Sequence, residues 1–182
     1  MDKHGYTHAE SILNEWNYVK GWQEEFIYTI KAIHSMKGAA FLMSCISMAQ
    51  QSSIDMLMYY DTRPSVFNGV FDYYTYEKLK GYYPMYWYGM FYDLAGEIPA
   101  GNAIENIYSL CGVDGNGKIM AILTHYNDDD LAEGKEIAVD FGKTGLYEIY
   151  LLDETHSGEL VSTTDDLTLT LKNQTVVLIK EI

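Results

Sequence analysis

The stretch SILNEWNYVKGW, residues 11–22, decides how the first half of the chain is read. Ser11 to Leu13 lean apolar, the pattern runs into Asn14-Glu15-Trp16-Asn17, and it breaks at Gly21-Trp22. A short apolar run bounded in this way reads as a buried strand. Its end carries a carboxylate flanked by amides and an indole, groups that a purely structural strand has no use for. Glu15 is therefore the first candidate for chemistry.

Outward from this strand, residues 23–36 (QEEFIYTIKAIHSM) and 37–51 (KGAAFLMSCISMAQQ) are rich in helix formers and too long for strands. Residues 54–60 (IDMLMYY) form a second compact apolar run, and residues 84–94 (PMYWYGMFYDL) open on Pro84, which suits the first turn of a helix. Strand, helix, strand, helix predicts parallel pairing with helices outside. Phe, Trp and Tyr crowd the stretch from Tyr59 to Tyr92 and thin out after Leu94. The Gly/Pro-bearing LAGEIPAGN, residues 94–102, marks a boundary. Residues 1–95 are expected to form one unit and 96–182 another.

The second unit is expected to be all-β. Residues 106–113 (NIYSLCGV) and 118–126 (KIMAILTHY) flank Asp114-Gly115-Asn116-Gly117, a strong hairpin signal. KEIAVDF (135–141), GLYEIYLLD (145–153), LTLTL (167–171) and TVVLIKEI (175–182) follow, separated by turns at 142–144, 153–158 and 172–173. Alternation from 167 to 179 predicts antiparallel strands with one face wet, as in a β-sandwich. The run Asp128-Asp129-Asp130 reads as a solvated hairpin tip.

Composition narrows the function classes. With 48% hydrophobic and 21% charged residues in 182, the chain has the make-up of a globular protein. A formal charge of −14 argues against a nucleic-acid partner, which needs a basic surface. Two cysteines, Cys45 and Cys111, sit in apolar runs and read as buried thiols. No segment has the pattern of a signal peptide, and the apolar run from Gly38 to Ala49 is too short to span a bilayer. No membrane partner is expected, and cellular location stays open. Scattered histidines give no metal site and no cofactor motif appears.

A carboxylate at the C-terminal end of a parallel strand lies where α/β barrels place their active sites. Asn14 and Asn17 would hydrogen-bond beside it, and Trp16 offers an aromatic face. Asp61 and Arg63, just past the second strand, read equally as rim residues or as a capped turn before Pro64; on the rim, Arg63 would hold the Glu15 side chain. Tyr59 reads as a ring for stacking or for packing.

LNEWN, residues 13–17, resembles the strand-seven nucleophile motif of clan A retaining glycoside hydrolases, most closely families thirty-nine and fifty-one, the β-xylosidase and α-L-arabinofuranosidase groups. The order of elements is similar as well. The resemblance implies an α/β plus all-β fold: the last strands and helices of a (β/α)8 barrel, then a C-terminal antiparallel β-sandwich. It implies that Glu15 is the nucleophile, that Asn14, Trp16, Asn17, Tyr59, Asp61 and Arg63 contact a carbohydrate substrate, and that pentosides are favoured. The acid/base of this clan belongs to an Asn-Glu pair on strand four, and Asn14-Glu15 is the only such pair here. The remaining barrel is thus an expected partner, the chain alone is expected to be inactive, and its exposed barrel half to self-associate. The alternative is a non-catalytic carbohydrate-binding or structural β-sandwich module.

Overall fold

The computed structural model describes residues 4–100 and 104–182, so the last residues of the 94–102 boundary stretch lie outside the described residues. The order is β1 (Ile12–Trp16), α1 (Phe26–His34), α2 (Met36–Gln50), β2 (Met56–Tyr59), α3 (Tyr82–Met90), β3 (Gly96–Glu97), β4 (Ile107–Val113), β5 (Ile119–His125), β6 (Lys135–Ala138), β7 (Tyr147–Leu152), β8 (Ser157–Thr164), β9 (Thr168–Leu171) and β10 (Thr175–Glu181).

β1 and β2 pair in parallel, with Ile12 opposite Met56 and Trp16 opposite Tyr59. The helices between them split at Ser35, whose Oγ accepts from the Lys37 amide at 3.2 Å and caps α2. Gly38 lets the two helices meet, because a Cβ there would fall 2.5 Å from the Ile33 carbonyl oxygen. The strands are not buried as expected. Ile12, Leu13, Met56 and Met58 are exposed: Trp16 and Tyr59 pack against the core that α2 and α3 build, and among the described residues no other strand pairs with β1 or β2. The parallel part is a two-stranded sheet, and the described residues form no closed barrel.

The second part is antiparallel. Six strands run in the order β3-β4-β5-β10-β7-β8, and β6 pairs with β9 as a separate two-stranded sheet. The β4–β5 hairpin turns where expected, with Asp114 Oδ1 accepting from the Asn116 and Lys118 amides and Gly117 at φ +81°. Ile137 of β6 and Leu171 of β9 pack with Cys111, Leu123, Ile149, Val177 and Ile179 on one face of the large sheet. On its other face α2 and α3 lay Met36, Leu42, Met43, Ile46 and Trp87 against Leu110, Met120, Ile122, Leu152, Val176 and Leu178. The large sheet is thus the middle of three layers. This corrects the one-wet-face expectation: β9 has it, but β5 and β10 are apolar and buried on both sides.

Two further differences have local causes. β8 was not anticipated, because its two large apolar residues, Leu160 and Val161, are adjacent rather than alternate and both exposed; it is a bulged edge strand. The acidic run is exposed as expected, but it is no hairpin tip, because β6 pairs with β9 rather than β5, and Asp128 and Asp130 meet Lys37, the only charged residue of α2, at 3.2 and 2.8 Å.

Candidate functional site

The parallel pairing of β1 and β2 brings their C-terminal ends together. The Tyr60 amide donates to the Trp16 carbonyl at 3.0 Å, continuing the ladder past β2. Between Leu13 and Trp16 the register shifts, so Asn14 and Glu15 sit in an irregular step of the strand. Both are exposed, and among the described residues the Glu15 side chain makes no hydrogen bond or ion pair. Its neighbour Trp16 points to the helices, with ring centroids 6.2 Å from Phe41 and 5.3 Å from Tyr59. Glu15 itself is left exposed where Trp16 turns inward.

Asn17 is a clamp rather than a neighbour poised over Glu15. Its Nδ2 donates to the Tyr60 carbonyl at 2.7 Å, while its Oδ1 accepts from the Tyr18 amide at 2.7 Å and the Tyr59 hydroxyl at 3.0 Å. Burial raises the pKa of the Tyr59 hydroxyl, and its hydrogen bond to Asn17 opposes that rise. One side-chain amide thus fastens the end of β1 to the end of β2.

Past β2, the Tyr60–Asp61 peptide bond is cis. Arg63 Nε meets Asp61 Oδ2 at 2.8 Å, and the Arg63 amide donates to Asp61 Oδ1 at 3.2 Å. Arg63 is thus paired with Asp61 rather than with Glu15, and its own side chain stays two-thirds exposed. The turn is closed by Asn68, which is buried: its carbonyl accepts from the Asp61 amide at 3.3 Å. Gly69 packs so tightly there that a Cβ would lie 2.1 Å from the Arg63 carbonyl oxygen.

Of the residues singled out, the structure therefore brings Asn17, Tyr59, Asp61 and Arg63 to one end of the strand pair with Asn14 and Glu15. It separates Trp16, which packs with the core. Sequence reasoning missed Tyr18, whose hydroxyl donates to Asp128 at 2.7 Å and links this strand end to the sandwich. Lys37, a lone charge in an otherwise neutral helix, was the available signal for that link.

No protein-family model matches the chain, and no curated protein matches it in sequence. Solved structures do. A xylanase of glycoside hydrolase family 30, subfamily 8, from Clostridium acetobutylicum is 15% identical, with 95% of this chain and 43% of that one covered at TM-score 0.63. A glucosidase from Croceicoccus marinus is 16% identical, with 98% and 47% covered at TM-score 0.67. A Paenibacillus polymyxa xyloglucanase of family 44 is 9% identical, with 97% and 33% covered at TM-score 0.59. The fold is therefore like that of clan A glycoside hydrolases, and the chain spans less than half the length of these structures. The xylanase and the xyloglucanase are of families 30 and 44, and none of the three singles out families thirty-nine and fifty-one.

Proposed function

We propose that the chain is part of a retaining glycoside hydrolase and supplies its nucleophile, Glu15. The observation that carries this reading is an exposed carboxylate, free of ion pairs among the described residues, at the C-terminal end of a parallel strand in a clan A-like fold. A retaining mechanism needs two carboxyls about 5–5.5 Å apart, one to attack the anomeric carbon and one to protonate the leaving oxygen. Asp61 is a poor second carboxyl, because Arg63 holds it. The acid/base comes from polypeptide beyond these residues, in keeping with the fraction of each solved structure that the chain covers.

The attacking group of such a mechanism acts as a carboxylate. Asn17 and Tyr59 fasten the strand end that carries Glu15. Asp61 and Arg63 offer hydrogen bonds to sugar hydroxyls from the rim. The substrate is a plant-type glycoside; xylose-containing polymers are favoured by the LNEWN resemblance and by the xylanase and xyloglucanase among the neighbours. Assignment to families thirty-nine or fifty-one would rest on residues 13–17 alone.

The test is covalent trapping. The polypeptide containing this chain and its barrel partner is incubated with 2-deoxy-2-fluoro-xylosyl and -glucosyl fluorides, then digested and mass-mapped. A glycosyl adduct on Glu15 is expected. Turnover with an adduct on another carboxylate would remove Glu15 from the role, and no turnover at all would favour the non-catalytic module.

A further inference from the structure

We infer that Trp22, backed by Phe26 and Phe67, is a platform on which a neutral glycan chain stacks beside the Glu15 end of the strand pair. Trp22 is 66% exposed, an unusual fate for an indole on a protein whose other two tryptophans pack inward. It is not a loose ring. Phe26 stacks beneath it at 6.1 Å and 27°, Phe67 lies at 5.2 Å, and the two phenyl rings stack on each other at 5.5 Å and 26°.

The backbone under it is fastened too. Thr29, buried in α1, donates from Oγ1 to the Gly21 carbonyl at 3.2 Å and accepts from the Lys20 amide at 3.2 Å. Gly21 itself sits against Glu25, whose Cβ would be 3.1 Å from an added Cβ. An aromatic face that is rigid before binding loses little conformational entropy when a ligand covers it.

Its place follows from topology. Trp22 lies in the connection from β1 to α1, and Phe67 in the connection from β2 to α3. Both connections leave the C-terminal ends of parallel strands, the end that carries Glu15, Asp61 and Arg63. A pyranose ring presents an apolar patch of C–H bonds on one face and hydroxyls at its edge, which matches an indole beside polar groups. The net charge of −14 disfavours a polyanionic chain and leaves a neutral one unaffected.

This rests on the glycoside reading for the class of ligand but not on catalysis by Glu15. The experiment follows the three indole N–H signals of the 15N-labelled chain during titration with millimolar xylohexaose and cellohexaose. The Trp22 signal is expected to move while those of Trp16 and Trp87 stay. Trp22→Ala should weaken binding about three- to tenfold, the scale of one aromatic contact, and Trp22→Tyr should restore most of it. Tyr92→Ala, at another exposed ring, should bind as the parent does, which separates this site from exposed aromatics in general. A Trp22 signal that ignores both sugars, or that moves only with protein concentration, would overturn the platform, as would unchanged affinity in Trp22→Ala. Sugar binding through Trp22 with no adduct on Glu15 would leave it standing and remove the nucleophile.

Discussion

Lys37 Nζ, buried at the start of α2, lies 2.8 Å from Asp130 in the loop between β5 and β6, so a helix of the first unit is pinned to the second by an ion pair. Asp128 joins at 3.2 Å, and the Tyr18 hydroxyl donates to it from the segment after β1. Lys37→Met removes the ammonium while keeping the length of the side chain. The aspartates stay more than half exposed and return to water, which limits the loss to about 1–3 kcal/mol. Urea unfolding measures it, and a cycle with Asp130→Asn should recover part of the loss as coupling.

Acid should unfold the chain through the same cluster. The Tyr18 hydroxyl, above all, holds the Asp128 carboxyl below its usual range, and Lys37 does the same for Asp130. Near the β7–β8 turn, burial raises Asp153, but hydrogen bonds from His156 and Thr155 outweigh it and bring it down to about 2. Carboxyls depressed in the folded state stabilise it above the unfolded pKa, and that contribution drains away as pH falls through the folded value. Stability should therefore hold near neutrality and decline from about pH 4 towards pH 2, as thermal melts across that range will show.

Glu15→Gln should leave the fold untouched. The side chain is exposed and has no partner among the described residues, so the change in stability should stay within about 0.5 kcal/mol. On the proposed role of Glu15, the same substitution in the larger protein should lower turnover by orders of magnitude. Azide should rescue Glu15→Ala and give a glycosyl azide of inverted configuration. A matching loss of melting temperature would mean that the effect is structural.

The open face of β1 and β2 should drive self-association of the isolated chain. Ile12, Leu13, Met56 and Met58 are each between 46% and 51% exposed, and both outer edges of the pair lack strand partners among the described residues. Light scattering at micromolar concentration should give a mass above that of one chain. Met56→Lys with Met58→Lys, two residues apart on one side of β2, should return it to a monomer without changing its circular dichroism.

Much of this arrangement was legible in residue order. Helix formers over residues 23–51, too long for strands, gave helices, Asp114 to Gly117 gave the hairpin, and two apolar runs separated by helices gave parallel pairing. Local pattern carried those features. The exposed face of β1 and β2 could not be read, because an apolar strand looks the same whether or not something covers it. The Lys37–Asp130 pair could not be located, since its members are far apart in sequence and meet only through packing. Glu15 stood out by its neighbours, whereas the Trp22 stack needed Phe67 from a distant loop.

Burial of β10 on both faces also bears on how its alignment is specified. A strand with one wet face is kept in register because a slip of one residue would turn its apolar side to water. From Thr175 to Ile179 that penalty is weak, since odd and even residues are both apolar or buried. The alignment must be fixed from the ends. At one end the Asn173 amide donates to the Asn127 and Asp129 carbonyls, and its Oδ1 accepts from the Asn127 amide at 2.8 Å. At the other, Glu181 accepts from the Ile119 amide at 2.8 Å and meets Lys143 at 2.6 Å. Removing both anchors would free β10 to sample neighbouring alignments while its core remained apolar, giving a protein that is folded but no longer single-valued.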